Sequence, residues 1–118
     1  MDYFRKATST SPVVMMDSKT KSALISGSSL CRDITVYASV IKEMIEQFDK
    51  FDYNDLNIKL DVFNTMAAKS LLELLKSFKF NSKAPSIHWY FNNKDEEMKE
   101  MANDYSELLE MEFDISDN

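Results

Sequence analysis

The stretch Asp55–Phe63, DLNIKLDVF, alternates between apolar and polar residues along most of its length. Such alternation is typical of a β-strand with one buried face and one exposed face. The apolar positions are Leu56, Ile58, Leu60 and Val62, and the polar positions are Asn57, Lys59 and Asp61. A strand covered by helices on both faces would be apolar throughout. The pattern therefore predicts a sheet that carries its helices mainly on one face.

A helical pattern follows this strand, and two small polar residues, Asn64 and Thr65, lie between the two patterns. Apolar residues recur there at intervals of three and four, which is the period of one helix face. The predicted buried stripe is Ala68, Leu71, Leu72, Leu75 and Phe78, and the predicted outer face is Lys69, Glu73, Lys76 and Lys79. A threonine at such a junction commonly caps the helix. On local sequence alone this capping role is favoured for Thr65, and the alternatives are a nucleophile or a residue that carries a phosphate.

Four further apolar runs predict strands, at residues 12–17, 22–26, 86–91 and 111–116. The first two are separated by the turn SKTK and predict a hairpin. Two more helical patterns are present, one after the N-cap candidate Asp33 and one with the acidic first turn 95–97. Their predicted buried positions are Ile34, Tyr37, Ala38, Ile41, Met44, Ile45 and Phe48 in the first helix, and Met98, Met101, Ala102, Tyr105, Leu108 and Leu109 in the last.

The element order β-β-α-β-α-β-α-β predicts an α/β fold with a mixed sheet of about five strands. We expect one domain over residues 1–118, with residues 1–11 flexible, because 118 residues and 44% hydrophobic content suit a single core. Leu71, Leu75 and Trp89 should be buried between the second helix and the sheet. A net charge of −6 makes nucleic acid an unfavourable partner. One cysteine, Cys31, and no apolar leader or membrane span predict a cytoplasmic protein.

Catalytic and metal-binding patterns are missing from the sequence. The single histidine, His88, and single cysteine give no metal-ligand spacing, and one glycine, Gly27, excludes a glycine-rich phosphate loop. We therefore expect no enzyme activity, no metal and no cofactor, and a structural role for His88. The acidic run at 95–97 is more typical of a solvated first helical turn than of paired catalytic carboxylates. An alternative function is a small-ligand-binding domain, or a minor enzyme, with a pocket near Trp89 and Tyr90.

Five segments in this order and spacing resemble the SiaC family of bacterial phospho-regulated proteins. They are SP near the start, LISGSSL, LDVFNTMAAKSLLELL, IHWYFNNKDEEMKEMANDY and FDI, and together they cover about residues 10–116. The resemblance implies a small single domain similar to the STAS domain of anti-sigma factor antagonists. It also implies that Thr65, in FNT, is phosphorylated by a partner Ser/Thr kinase and dephosphorylated by a PPM-type phosphatase.

The same resemblance implies that the unphosphorylated protein binds and activates a diguanylate cyclase, which raises cyclic di-GMP and favours biofilm formation. Next to Thr65, we expect Asn64, Met66 and Lys69 to contact partners. The sequence departs from the family at two places. Met66-Ala67-Ala68 replaces the small hydroxyl residues that often follow the Asn-Thr pair, and LCRD at residues 30–33 replaces a YPEN-like stretch. The identities of the kinase, phosphatase and target enzyme do not follow from the sequence.

Overall fold

The described part of the chain contains six strands and three helices. The computed structural model describes residues 3–8, 12–29, 34–63, 65–91 and 95–117. Within these residues the strands are β1 Tyr3–Arg5, β2 Val13–Asp17, β3 Ser22–Ser29, β4 Asp55–Phe63, β5 Ser86–Phe91 and β6 Asp114–Asp117. The helices are α1 Ile34–Lys50, α2 Thr65–Asn81 and α3 Glu96–Leu108. The predicted N-cap Asp33 and the single Cys31 lie outside the described residues.

The strands form one sheet in the order β1-β2-β3-β4-β5-β6. The pairs β1–β2 and β2–β3 are antiparallel, and the pairs from β3 to β6 are parallel. Each parallel connection steps to the next strand in the same direction, so right-handed crossovers place all three helices on one face. The mixed α/β fold is thereby confirmed, with six strands in place of the expected five.

The burial pattern of β4 shows the same one-sided arrangement. Leu56, Ile58 and Leu60 are buried beneath the helices, whereas Lys59 is exposed and Asn57 is only half-buried on the opposite face. The side chains of Asp61 and Val62 lie outside the description. Leu71, Leu75 and Trp89 are all fully buried, as predicted, and the ring of Trp89 lies near Tyr105 of α3.

Six positions predicted to be buried are less buried than expected: Ala38 and Leu108 are exposed, and Ile45, Leu72, Met101 and Tyr105 are half-buried. The buried face of α1 is centred on Val40, Met44 and Phe48, so Ala38 falls about a third of a turn to one side and is exposed. In α2, Leu74 is fully buried and Leu72 is only half-buried. Leu108 is 66% exposed at the end of α3, because Met98, Ala102 and Leu109 make the core contact there.

The strand β1 lies inside the stretch 1–11, for which the sequence pattern led us to expect a flexible chain. Residues Tyr3–Arg5 instead pair with β2, with Tyr3 opposite Met16 and Arg5 opposite Val14. The hydroxyl of Tyr3 donates a hydrogen bond to Glu43 in α1, and an Arg5 guanidinium nitrogen lies 3.8 Å from a carboxylate oxygen of Glu43. This edge strand is therefore joined both to the sheet and to the helix layer.

Candidate functional site

The candidate phosphorylation site lies at the junction between β4 and α2. Strand β4 ends at Phe63 and helix α2 begins at Thr65, two residues later, at the carboxyl end of a central strand. Asn64 lies outside the described residues, as do the side chains of Thr65 and Met66. The backbone thus places Thr65 in the first turn of α2, while the exposure of its hydroxyl stays a prediction. Lys69, one turn further along, is exposed.

The first two turns of α2 are held in place by small residues packed against the core. Ala67 and Ala68 are both buried. Larger or polar side chains here would have to be accommodated inside the core. The small apolar side chains at the second and third positions of Met66-Ala67-Ala68 suit this buried environment, because they leave no buried polar group without a partner.

Helix α3 contributes a second contact to the start of α2. The hydroxyl of Tyr105 donates a hydrogen bond of 2.8 Å to the carbonyl oxygen of Ala68. Burial raises the pKa of the Tyr105 hydroxyl, with a smaller contribution from the negative charge of Asp104. The phenol therefore keeps its proton and stays a donor at neutral pH. The helical pattern predicted only a buried position for Tyr105, and nothing in its spacing pointed to a partner 37 residues away.

The electrostatics at the start of α2 differ from those at the start of α3. Helix α3 begins with Glu96 and Glu97, and its N-cap Asp95 accepts a 3.0 Å hydrogen bond from the backbone N–H of Met98. Helix α2 has no acidic residue in its first turn. The positive end of the α2 dipole is thus left without a carboxylate in that turn, and an added anion would be favoured there. The acidic run at 95–97 is a capped first helical turn, as the sequence indicated.

A polar cluster joins three strands on the open face of the sheet. His88 in β5 has Nε2 2.9 Å from Oδ1 of Asp55 in β4, and Nδ1 3.0 Å from Oδ2 of Asp114 in β6. The hydroxyl oxygen of Ser86 is also 3.2 Å from Nε2. The set contains the residue types of a serine hydrolase triad, but the nitrogen that would accept the serine proton already faces Asp55. The contacts are those of a histidine that links neighbouring strands.

Trp89 and Tyr90 do not form a joint binding pocket. Trp89 is fully buried beneath the helices, where its ring lies near Tyr105 and Phe113 at centroid distances of 6.1 and 6.3 Å. Tyr90, the next residue in β5, projects to the opposite face, where Nζ of Lys59 lies 4.8 Å from its ring centroid. Among the described residues, no group of three or more histidine, cysteine or acidic side chains is arranged to hold a metal ion.

Three solved structures share this fold over almost their whole length. Apo-SiaC from Pseudomonas aeruginosa matches with a TM-score of 0.77 and 19% identity, covering 98% of each chain. A complex of the diguanylate cyclase SiaD with its activator SiaC, from the same organism, matches with a TM-score of 0.79 and 18% identity, covering 99% of this chain and 100% of that one. A further SiaC structure from Pseudomonas aeruginosa matches with a TM-score of 0.77 and 18% identity, covering 100% of this chain and 99% of that one.

Comparison with protein families agrees with the structural comparison, whereas no protein with a curated description matches the chain. The family described as SiaC family regulatory phosphoprotein matches residues 5–118, which is nearly the whole sequence. The fold and this match together define a regulatory phosphoprotein. The chain belongs to the SiaC family. Across the described part of the chain, no helix has both the length and the apolar character needed to cross a membrane.

Proposed function

We propose that this chain is a phosphorylation-controlled protein-binding switch whose unphosphorylated form binds and activates a diguanylate cyclase. The family membership supports a regulatory phosphoprotein. The likeness in fold to the SiaC of Pseudomonas aeruginosa, an activator of the diguanylate cyclase SiaD, supports the class of partner. The observation that carries the proposal is the start of α2 at Thr65, with an uncharged first turn at the carboxyl edge of the sheet.

Phosphorylation of Thr65 is proposed to proceed by attack of the side-chain oxygen on the γ-phosphorus of ATP. The hydroxyl proton passes to a base of the Ser/Thr kinase and ADP leaves. A PPM-type phosphatase then returns the threonine by transferring the phosphoryl group to water. Neither reaction requires a catalytic residue of this chain, which acts only as the protein substrate. This role agrees with membership of a family of regulatory phosphoproteins.

The phosphate would change partner binding more than it changes folding. It adds about 1.5–2 negative charges at neutral pH. At the N-terminus of α2 an anion gains roughly 0.3–1 kcal/mol from the helix dipole when it is solvated. A partner packed over the same helix end would have to strip water from those charges, and each incompletely compensated polar group costs on the order of 1–3 kcal/mol. Asn64, Met66 and Lys69 are proposed to form the surrounding contact surface.

The test is a comparison of two forms of the same protein. Protein purified from its own host is first mapped by phosphosite mass spectrometry, which should find phosphate on Thr65. Binding to each diguanylate cyclase of that host is then measured by calorimetry before and after stoichiometric phosphorylation, together with the rate of cyclic di-GMP synthesis. We expect one cyclase to bind and be activated by the unphosphorylated form, and to bind the phosphorylated form at least tenfold more weakly. Equal affinity of the two forms would contradict the switch.

A further inference from the structure

Two exposed apolar side chains lie at the neighbouring C-terminal ends of α2 and α3. Phe80 is 89% exposed and Leu108 is 66% exposed, which makes them the most exposed large apolar residues among those described. The side-chain amine of Lys79 donates a hydrogen bond to the carbonyl oxygen of Leu109, so the two helix ends are in contact. Phe80 follows Lys79 and Leu108 precedes Leu109, and the two apolar residues therefore lie at the same level along the helices.

A charged residue lies one turn before each of these apolar side chains. Lys76 is four residues before Phe80 and Asp104 is four residues before Leu108, and both charged residues are exposed. Residues four apart lie one above the other on the same face of a helix. Helices α2 and α3 each connect parallel neighbouring strands, so they run in the same direction. They therefore present two ridges in parallel, each with a charge followed by an apolar side chain, and the two charges have opposite signs.

The charges on the two ridges are available to a partner. Neither Lys76 nor Asp104 forms a salt bridge with any described residue. Glu107 adds a second exposed negative charge at this end of α3. Glu73 and Lys99, whose signs are opposite to those of their ridges, lie further toward the start of their helices. A complementary partner therefore places negative charge over α2, positive charge over α3 and apolar side chains over the helix ends.

A second copy of the chain meets this description. A two-fold rotation about an axis parallel to the helices places the α2 ridge of each copy on the α3 ridge of the other. Lys76 then faces Asp104 of the second copy, and Phe80 faces Leu108 of the second copy. Both contacts recur on the other side of the axis, as in an isologous interface. A two-fold axis across the helices would instead bring α2 onto α2 and oppose like charges.

We propose that the chain forms a two-fold dimer through these two ridges, Lys76–Phe80 of α2 and Asp104–Leu108 of α3. The proposal is independent of the proposed function, because neither Thr65 nor a cyclase takes part in the contact. Two ridges per copy make a small interface, and a net charge of −6 on each chain opposes association. The dimer should therefore be weak. Its axis leaves both Thr65 junctions at one end of the dimer, each about 22 Å along α2 from Phe80.

The experiment measures the dimer Kd of the full-length protein by sedimentation equilibrium, with far-UV circular dichroism as the check that each variant folds. Phe80→Ala and Leu108→Ala remove opposite sides of the same apolar contact. Phe4→Ala is the matched control, because Phe4 is 56% exposed on β1, whose two neighbouring side chains point toward α1.

Charge reversals test the pairing of α2 with α3. Lys76→Glu and Asp104→Lys are measured separately and then mixed in equal amounts. Lys42→Glu is the matched control for the first of these, since Lys42 is an exposed lysine on α1. Each reversal alone opposes like charges at both ionic contacts of its own dimer. In the mixed dimer both contacts again join opposite charges.

We expect Phe80→Ala and Leu108→Ala each to raise the dimer Kd at least tenfold. Lys76→Glu and Asp104→Lys should each raise it at least tenfold at low salt and less at high salt, and their mixture should return to about threefold of the wild type or better. The controls Phe4→Ala and Lys42→Glu should stay within about threefold of the wild type, since neither position lies on a ridge.

Three outcomes would overturn the proposal. The first is a wild type that stays monomeric up to about 1 mM chain. The second is a dimer that Phe4→Ala dissociates and Phe80→Ala does not, which would place the second copy on the open face of the sheet. The third is a mixture of the two charge variants that associates no better than either variant alone. None of these measurements involves the cyclase, so the result does not decide the proposed function.

Discussion

Replacing Tyr105 by phenylalanine tests whether α3 holds the start of α2 in place. The change removes the hydroxyl that donates the 2.8 Å hydrogen bond to the Ala68 carbonyl and keeps the aromatic ring beside Trp89. A typical hydrogen bond contributes about 0.5–1.5 kcal/mol net to stability. The Ala68 carbonyl lies within a helix and can also accept from the backbone four residues on, so it is not left without a donor. We therefore expect a loss of about 0.5–1 kcal/mol.

The pH dependence of the same variant supplies a second, independent readout. The pKa of Tyr105 is raised in the folded protein, so the folded state keeps this proton at pH values where the unfolded chain has lost it. The contribution is complete below the unfolded pKa of about 10 and is lost as the pH rises toward the folded pKa. Stability of the wild type should thus fall more steeply above pH 10 than that of Tyr105→Phe.

The measurements are urea unfolding at neutral pH and at several values between pH 9 and 11, followed by amide hydrogen exchange. Exchange should speed up most in the first two turns of α2, because the lost bond ends there. Tyr3→Phe is the control variant. Burial and the neighbouring Glu43 raise the pKa of Tyr3 to about 12, so it shares the alkaline effect, but it lies on β1 and should leave exchange in α2 unchanged. Equal exchange in α2 for wild type and Tyr105→Phe would refute the assigned role.

Three further predictions concern the core, the open face and the switch residue. Leu75→Ala should cost about 2–5 kcal/mol in urea titration, because the side chain is fully buried, whereas Leu108→Ala should cost less than about 0.5 kcal/mol. His88→Ala removes two contacts with carboxylates whose side chains are 40% and 64% exposed and should cost about 0–1 kcal/mol, so a loss above roughly 2 kcal/mol would contradict a peripheral strand link. Thr65→Ala should lose at most about 0.5–2 kcal/mol of capping energy and still bind the cyclase, and Thr65→Glu should fold but bind more weakly. If the Thr65→Glu protein binds the cyclase as tightly as the wild type, negative charge at this position does not control binding.

The elements that the sequence predicted well are those in which one physical period runs through many residues. Strand β4 alternates over nearly its whole length because only one of its faces meets the helices, and α2 shows a helical period because its stripe meets that same face. Strand β1 has only three residues, which is too short for any period to be read. It is held by pairing with β2 and by the contacts of Tyr3 and Arg5 with Glu43.

Contacts between distant residues account for what the sequence could not predict at the candidate site. The position of Thr65 at a strand–helix junction followed from the local pattern. The bond from Tyr105 to Ala68 and the link from Asp55 through His88 to Asp114 depend on the strand order and register. Ala38 shows the same limit on a smaller scale, because its helical position fits the apolar stripe and only the packing of α1 on its neighbours decides that it faces outward.

The way α2 is anchored would let Thr65 carry the proposed phosphate without loss of the fold. The contacts that fix its first two turns belong to Ala67 and Ala68, which are buried, and to Tyr105, which binds a backbone carbonyl. A phosphate on Thr65 removes none of these contacts, and the uncharged first turn of α2 presents no carboxylate to repel it. Beyond its anchored start the same helix carries the exposed side chains of Lys69, Glu73 and Phe80. A charge added at the start of α2 would therefore act on whatever binds along the helix, while the helix itself keeps its position.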